Sequence, residues 1–105
     1  MSTPIEINEK NFKANVLEAK VPVLVDFYSV FCVPRHEMKP VLAELADDVG
    51  NRAKVFTFEI GTNEHLTEKY GIIVVPTLIV FDGGNELYRI VGLKSKKSLR
   101  EALAV

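Results

Sequence analysis

Cysteine is nearly missing: Cys32 is the one thiol among 105 residues. A lone cysteine excludes an internal disulfide and a two-cysteine redox cycle run by this chain alone. It also points to a reducing compartment, so a cytoplasmic setting is expected. Tryptophan is absent, and the histidines number two, His36 and His65, far apart in the chain. No Cys/His/Asp group has the spacing of a metal site, so no metal is expected. Charge of one sign is lacking, with 13 Lys and Arg against 14 Asp and Glu and a net charge of -1. That leaves no basic patch for nucleic acid and no acidic tail. No apolar run approaches the roughly 20 residues that span a bilayer. The opening Met1-Ser2-Thr3-Pro4 leads into polar residues, not into the apolar region of a signal peptide. Neither a membrane nor nucleic acid is therefore expected as a partner.

What is present is an ordinary globular balance, 48% hydrophobic and 26% charged, enough for one core, and a single domain over 1–105 is expected. The apolar period switches several times along the chain. Residues 21–28 are almost continuously apolar, as in a strand buried on both faces. Residues 55–60 alternate, 78–81 form a second buried run, and 82–85 (Asp-Gly-Gly-Asn) signal a hairpin with 87–91 as partner. Between these lie helical patterns. Asn8 is expected to cap a first helix with Phe12, Val16 and Leu17 inward. From Pro34 the residues Met38, Val41, Leu42, Leu45, Ala46 and Val49 form one stripe that Gly50 ends. Pro40 inside it predicts a kink. A short helix is expected over 64–70, and Ser95 is expected to cap a last one carrying Leu99, Ala102 and Leu103. Strands alternating with helices, closed by a hairpin and a helix, predict an α/β fold: a mixed sheet covered on both faces.

Cys32 falls in Phe31-Cys32-Val33-Pro34-Arg35, where a buried strand turns into a helix that opens at proline. A sulfur at a helix N-terminus is favoured as thiolate by the N–H groups and the macrodipole. Arg35, about one turn on, adds a cation that favours it further, and His36 adds another when protonated. The competing reading makes Cys32 an inert small hydrophobe and Arg35 a solvated helix residue. Asp26 stands in an otherwise apolar run, where an ionised carboxylate is costly to bury and its proton is held more tightly.

The chain resembles thioredoxins from end to end. The resemblance rests on Val25-Asp26-Phe27-Tyr28, then Cys32, Pro34 and Pro40, then Tyr70-Gly71-Ile72, Val75-Pro76-Thr77-Leu78, Phe81, Gly84 and Val91-Gly92. It implies a central mixed sheet of about five strands with about four helices on its two faces. The family motif Trp-Cys-Gly-Pro-Cys-Lys reads Phe31-Cys32-Val33-Pro34-Arg35-His36 here, so the first cysteine and the proline remain and the second cysteine is replaced by Arg35. The resemblance makes Cys32 the attacking sulfur and Pro76 a cis proline beside it. Val75, Pro76 and Gly92 then line a groove for an extended peptide, with Phe31, Pro34 and Tyr28 adding apolar surface. Asp26 is the family's proton acceptor for the cysteine this chain lacks. The lysine that the family places near that aspartate is here Thr57.

Two functions stay open on these residues. In the first, Cys32 forms mixed disulfides with protein or peptide thiols and an external thiol such as glutathione resolves them, a monothiol exchange without a bound cofactor. Oxidation would then also be able to link two chains through Cys32. In the second, redox cycling has been abandoned and the groove binds a partner protein without chemistry. A minor third reading has two Cys32 thiols and outside thiols holding an iron–sulfur cluster.

Overall fold

In a computed structural model, the structure describes residues 4–31, 34–92 and 94–105, with the backbone alone of 34–37. Five strands make one sheet: β1 (Ile5–Ile7), β2 (Val23–Tyr28), β3 (Lys54–Glu59), β4 (Thr77–Asp82) and β5 (Asn85–Val91). Their order is β1-β3-β2-β4-β5. β1 and β2 run parallel to β3, while β4 is antiparallel to β2 and β5 to β4, so the sheet is mixed as expected. β2 is central and all six of its residues are buried. That is why its apolar run is nearly unbroken instead of alternating.

The period of two sends side chains to two separate cores. Leu24, Val55, Leu78 and Val80 meet Met38, Leu42, Leu45 and Val49 of α1 (Pro34–Val49) and Leu99 and Leu103 of α3 (Lys96–Leu103). Val25, Phe27, Phe56, Phe58, Ile79 and Phe81 meet Phe12, Val16 of the π-helix (Lys13–Leu17) that follows it, and Leu66 of α2 (Glu64–Lys69). On this second face Phe12, Phe27, Phe58, Tyr70 and Phe81 form a linked ring cluster with centroids 5.1 to 6.2 Å apart. Edge and tilted pairs at such spacing add about 0.5–1.5 kcal/mol each beyond the area they bury.

Local chemistry sets the element ends. Pro34 opens α1 and Gly50, at φ +56°, ends it. The helix continues through Pro40, which lies on its exposed side and leaves one i→i−4 hydrogen bond unmade. Gly83 and Gly84 have φ +59° and +83° and join β4 to β5 as a two-residue hairpin, the turn that 82–85 predicted. Ser95 caps α3, its Oγ accepting from the Ser98 N–H at 3.2 Å.

The first helix departs from expectation. Asn8 Oδ1 accepts from the N–H groups of Lys10 and Asn11, at 2.8 and 3.2 Å, so Asn8 caps a turn that precedes the helix. The segment then winds as a single π turn, the Glu18 N–H reaching the Lys13 carbonyl at 2.9 Å. Asn15 assists by donating its Nδ2 to the Asn11 carbonyl, a side-chain bond that competes with regular helix. Phe12 and Val16 still point inward and Leu17 is half-buried. β5 also begins earlier than expected, at Asn85, because the tight turn lets pairing start at Asp82 opposite Asn85.

Candidate functional site

The C-terminal ends of β2 and β3, the N-terminal end of β4 and the C-terminal end of β5 lie at one end of the sheet, as their register requires. Phe27 pairs with Thr77 and Thr77 with Val91, so the segments that leave those strands meet there. The Val75–Pro76 peptide bond is cis, and the Pro76 carbonyl accepts from the Gly92 N–H at 2.9 Å. Gly92, at φ +88°, adopts a conformation that a side chain would strain. The Thr77 hydroxyl donates to the Val74 carbonyl and ties the loop ahead of the proline to the start of β4. Val75, Pro76 and Gly92, which the sequence set along one groove, are thus brought together, with Pro76 buried and Val75 and Gly92 half-buried.

After β2 the chain turns through Ser29, whose Oγ accepts from the Phe31 N–H at 3.2 Å. The Phe31 side chain is 91% exposed. Cys32 and Val33 lie outside the described residues, as do the side chains of Pro34, Arg35 and His36. The sequence places Cys32 one residue after Phe31 and two before the first residue of α1.

Asp26 is 2% exposed and sits in the middle of β2. It shares parity with Leu24, so it faces the side of the sheet that α1 covers. Thr57 of β3 is its register partner on one side and Leu78 of β4 on the other. Beyond Thr57 in the same row stands Glu6 of β1. The Glu6 carboxylate accepts from the Tyr28 hydroxyl at 2.5 and 2.7 Å and from the Thr57 hydroxyl at 3.1 Å. Tyr28 is therefore buried with its oxygen engaged, not displayed as apolar surface beside the sulfur.

Several residues escaped the sequence reading. Ile73, 90% exposed, and Val74 and Val30, both 54% exposed, join Phe31 and the 49% exposed Val91 to make this end of the molecule apolar. The signal was present in Ile72-Ile73-Val74-Val75, four β-branched residues that belong to no strand. Glu6 carried no local signal, because its partners lie 22 and 51 residues away.

The thioredoxin family model matches residues 3–105. The chain is 35% identical over 103 residues to Thioredoxin 1 of Nostoc sp., covering 98% of this chain and 96% of that one. It is 36% identical over 95 residues to the thioredoxin of Rickettsia bellii, covering 90% of each. It is also 37% identical over 100 residues to the bifunctional thioredoxin reductase/thioredoxin of Mycobacterium leprae, where the match spans 95% of this chain and 22% of that protein. A match of this length, on a mixed sheet with a cis proline at the strand ends, makes the chain a member of the thioredoxin family.

Proposed function

We propose that this protein exchanges thiols and disulfides by a monothiol cycle in which Cys32 is the nucleophile. The family supports a thiol–disulfide redox role on protein thiols. What supports the finer reading is the one cysteine, Cys32, with Arg35 in place of the second, following Phe31 at the sheet end where the Val75–Pro76 loop meets Gly92.

The cycle follows from the number of sulfurs. The Cys32 thiolate attacks one sulfur of a substrate disulfide, the substrate S–S bond breaks, and the leaving sulfur departs as a thiolate that takes a proton. Arg35, in the position of a resolving cysteine, cannot attack the mixed disulfide. A glutathione thiolate attacks instead and frees the second substrate sulfur, leaving glutathione on Cys32. A second glutathione releases Cys32 as glutathione disulfide. In sum, two glutathione thiols are oxidised and one substrate disulfide is reduced. Asp26, buried on the sheet face that α1 covers, serves as proton acceptor for the incoming thiol. Arg35 and the start of α1 stabilise the Cys32 thiolate. Phe31, Pro34, Val75, Pro76 and Gly92 hold the substrate peptide, and a reducing, cytoplasmic environment suits such a cycle.

Turnover of a disulfide-bonded peptide with glutathione as reductant tests the cycle, with Cys32→Ser expected to abolish it. Arg35→Ala is expected to slow alkylation of Cys32 at neutral pH by about tenfold, the effect of removing one neighbouring cation. The exposed Phe31 and Ile73 side chains also suit a module that binds without chemistry. In that case Cys32→Ser would bind the same peptide unchanged and the native protein would show no turnover.

A further inference from the structure

Glu6 lies on the short edge strand β1, yet its carboxylate reaches across the sheet to two hydroxyls, Thr57 on β3 and Tyr28 on β2. This bridge spans three strands on the face that α1 covers. It holds a negative charge in the row Glu6–Thr57–Asp26. Adjacent strands are about 4.8 Å apart, which puts the Glu6 and Asp26 backbones about 10 Å apart with only a threonine between them. We infer that Glu6 is a positioning residue for the exchange site, its hydroxyl-anchored carboxylate favouring the protonated form of Asp26. This rests on the reading of Asp26 as part of that site.

The sign follows from the row. A carboxylate one neutral side chain away opposes ionisation of Asp26, which is buried where screening by water is weakest. Among the described residues, Tyr28 shares this face two positions along β2 and the apolar Leu78 of β4 is the register partner of Asp26. From α1 the buried Met38 packs on this face, and the sequence of its first turns carries the ionisable Arg35, His36, Glu37 and Lys39. Replacing Glu6 alters none of these residues directly except Tyr28, whose hydroxyl then donates to the amide oxygen that Glu6→Gln supplies.

The direct test is an NMR titration of the Asp26 carboxyl carbon in the native protein and in Glu6→Gln. The variant removes the charge and keeps a hydrogen-bonding side chain. Its midpoint is expected to fall by between about 0.3 and about 1 pH unit, the range for one charge at that distance between water-like and surface-like screening. Thr57→Val keeps the charge but frees the carboxylate from one of its anchors, and its midpoint is expected to fall by less. An unmoved midpoint in folded Glu6→Gln overturns the inference. Where that variant does not fold, an unmoved midpoint in Thr57→Val does so. The pH profile of Cys32 alkylation gives the link to the site: Glu6→Gln is expected to displace its acid limb, but not in an Asp26→Asn background. A displacement that survives Asp26→Asn overturns the route through Asp26. Failure of Cys32 to exchange at all would remove the exchange reading and leave the Asp26 titration to decide this one.

Discussion

Both glycines of the β4–β5 turn sit at positive φ, and the second is also crowded. A Cβ on Gly84 would stand 2.9 Å from the Leu17 carbonyl oxygen, while one on Gly83 would meet nothing within 4 Å. Both residues have positive φ, which costs an L-residue about 1–2 kcal/mol. Gly83→Ala is expected to lose about that much stability by chemical denaturation. Gly84→Ala is expected to lose more, because the π-helix backbone must also shift; equal losses would show that the close approach is relieved without cost. In the ring cluster, Phe58 is fully buried between Phe12 and Phe27. Phe58→Ala is expected to cost about 3–5 kcal/mol, read by the same method. Tyr70 adds a pH dependence. Burial, with the Glu86 carboxylate adding to it, raises its hydroxyl above the usual 10.0. The unfolded chain then gives up this proton at lower pH than the folded one. The contribution is whole below pH 10.0 and is lost as pH climbs through the raised folded value. Tyr70→Phe is expected to remove that part of the alkaline decline in denaturation midpoints.

At the scale of elements, two joints hold helices by contacts remote in sequence. The Glu9 carboxylate accepts from the Leu66 N–H at 2.7 Å, so the start of α2 is capped from 57 residues away. Asn63, the residue before α2, spends its own side chain elsewhere, donating to the Glu59 carbonyl and accepting from the Glu9 N–H. Glu9→Ala is expected to cost about 1–2 kcal/mol, the range for a lost cap, with amide exchange rising first in α2. At the other joint, Lys96 and Arg100 of α3 reach Asp48 of α1 at 3.0 and 3.4 Å. The Lys96 hydrogen bond, then the two cationic charges, lower the Asp48 carboxyl below 3.8. Its contribution is present above that value and lost as pH falls through the lowered one. Asp48→Asn is expected to flatten this step, and added salt to shrink it.

These joints mark where sequence reading stops. Strand β4 was legible because Leu78-Ile79-Val80-Phe81 is a buried run closed by glycines, and α3 because Ser95 precedes a spaced apolar stripe. β1 was not, since three residues with Glu6 at the centre and Ile5 64% exposed carry no period. The π turn was hidden for a similar reason: Phe12 and Val16 fit a regular helix equally well. Of the site, Pro76 and Gly92 were legible from their motif, whereas the Glu6 bridge depends on pairings that only the folded sheet creates.

For the whole molecule, the sheet separates two tasks. The ring cluster on one face stabilises the fold without polar chemistry. The other face carries Asp26 under α1 and sends β2 toward Cys32. Among the described residues no helix is long and apolar enough to cross a membrane. The exposed apolar residues Phe31, Ile73, Val74 and Val91 gather at one end, where, on the proposed reading, a peptide would lose most water on docking. Replacing Ile73 with Ser is expected to weaken capture of a disulfide peptide several-fold while leaving alkylation of Cys32 unchanged, because it removes contact area and not thiolate stabilisation. The most direct measurement is the reaction of Cys32 itself: mass spectrometry of the protein after exposure to oxidised glutathione at neutral pH, alongside the pH dependence of its alkylation rate. The monothiol reading predicts a single glutathione adduct on Cys32, reversed by reduced glutathione, and alkylation that stays fast well below pH 8.5, the ordinary thiol range. No adduct, with alkylation that follows an ordinary thiol, would contradict it and leave a protein that binds peptides without exchanging sulfur.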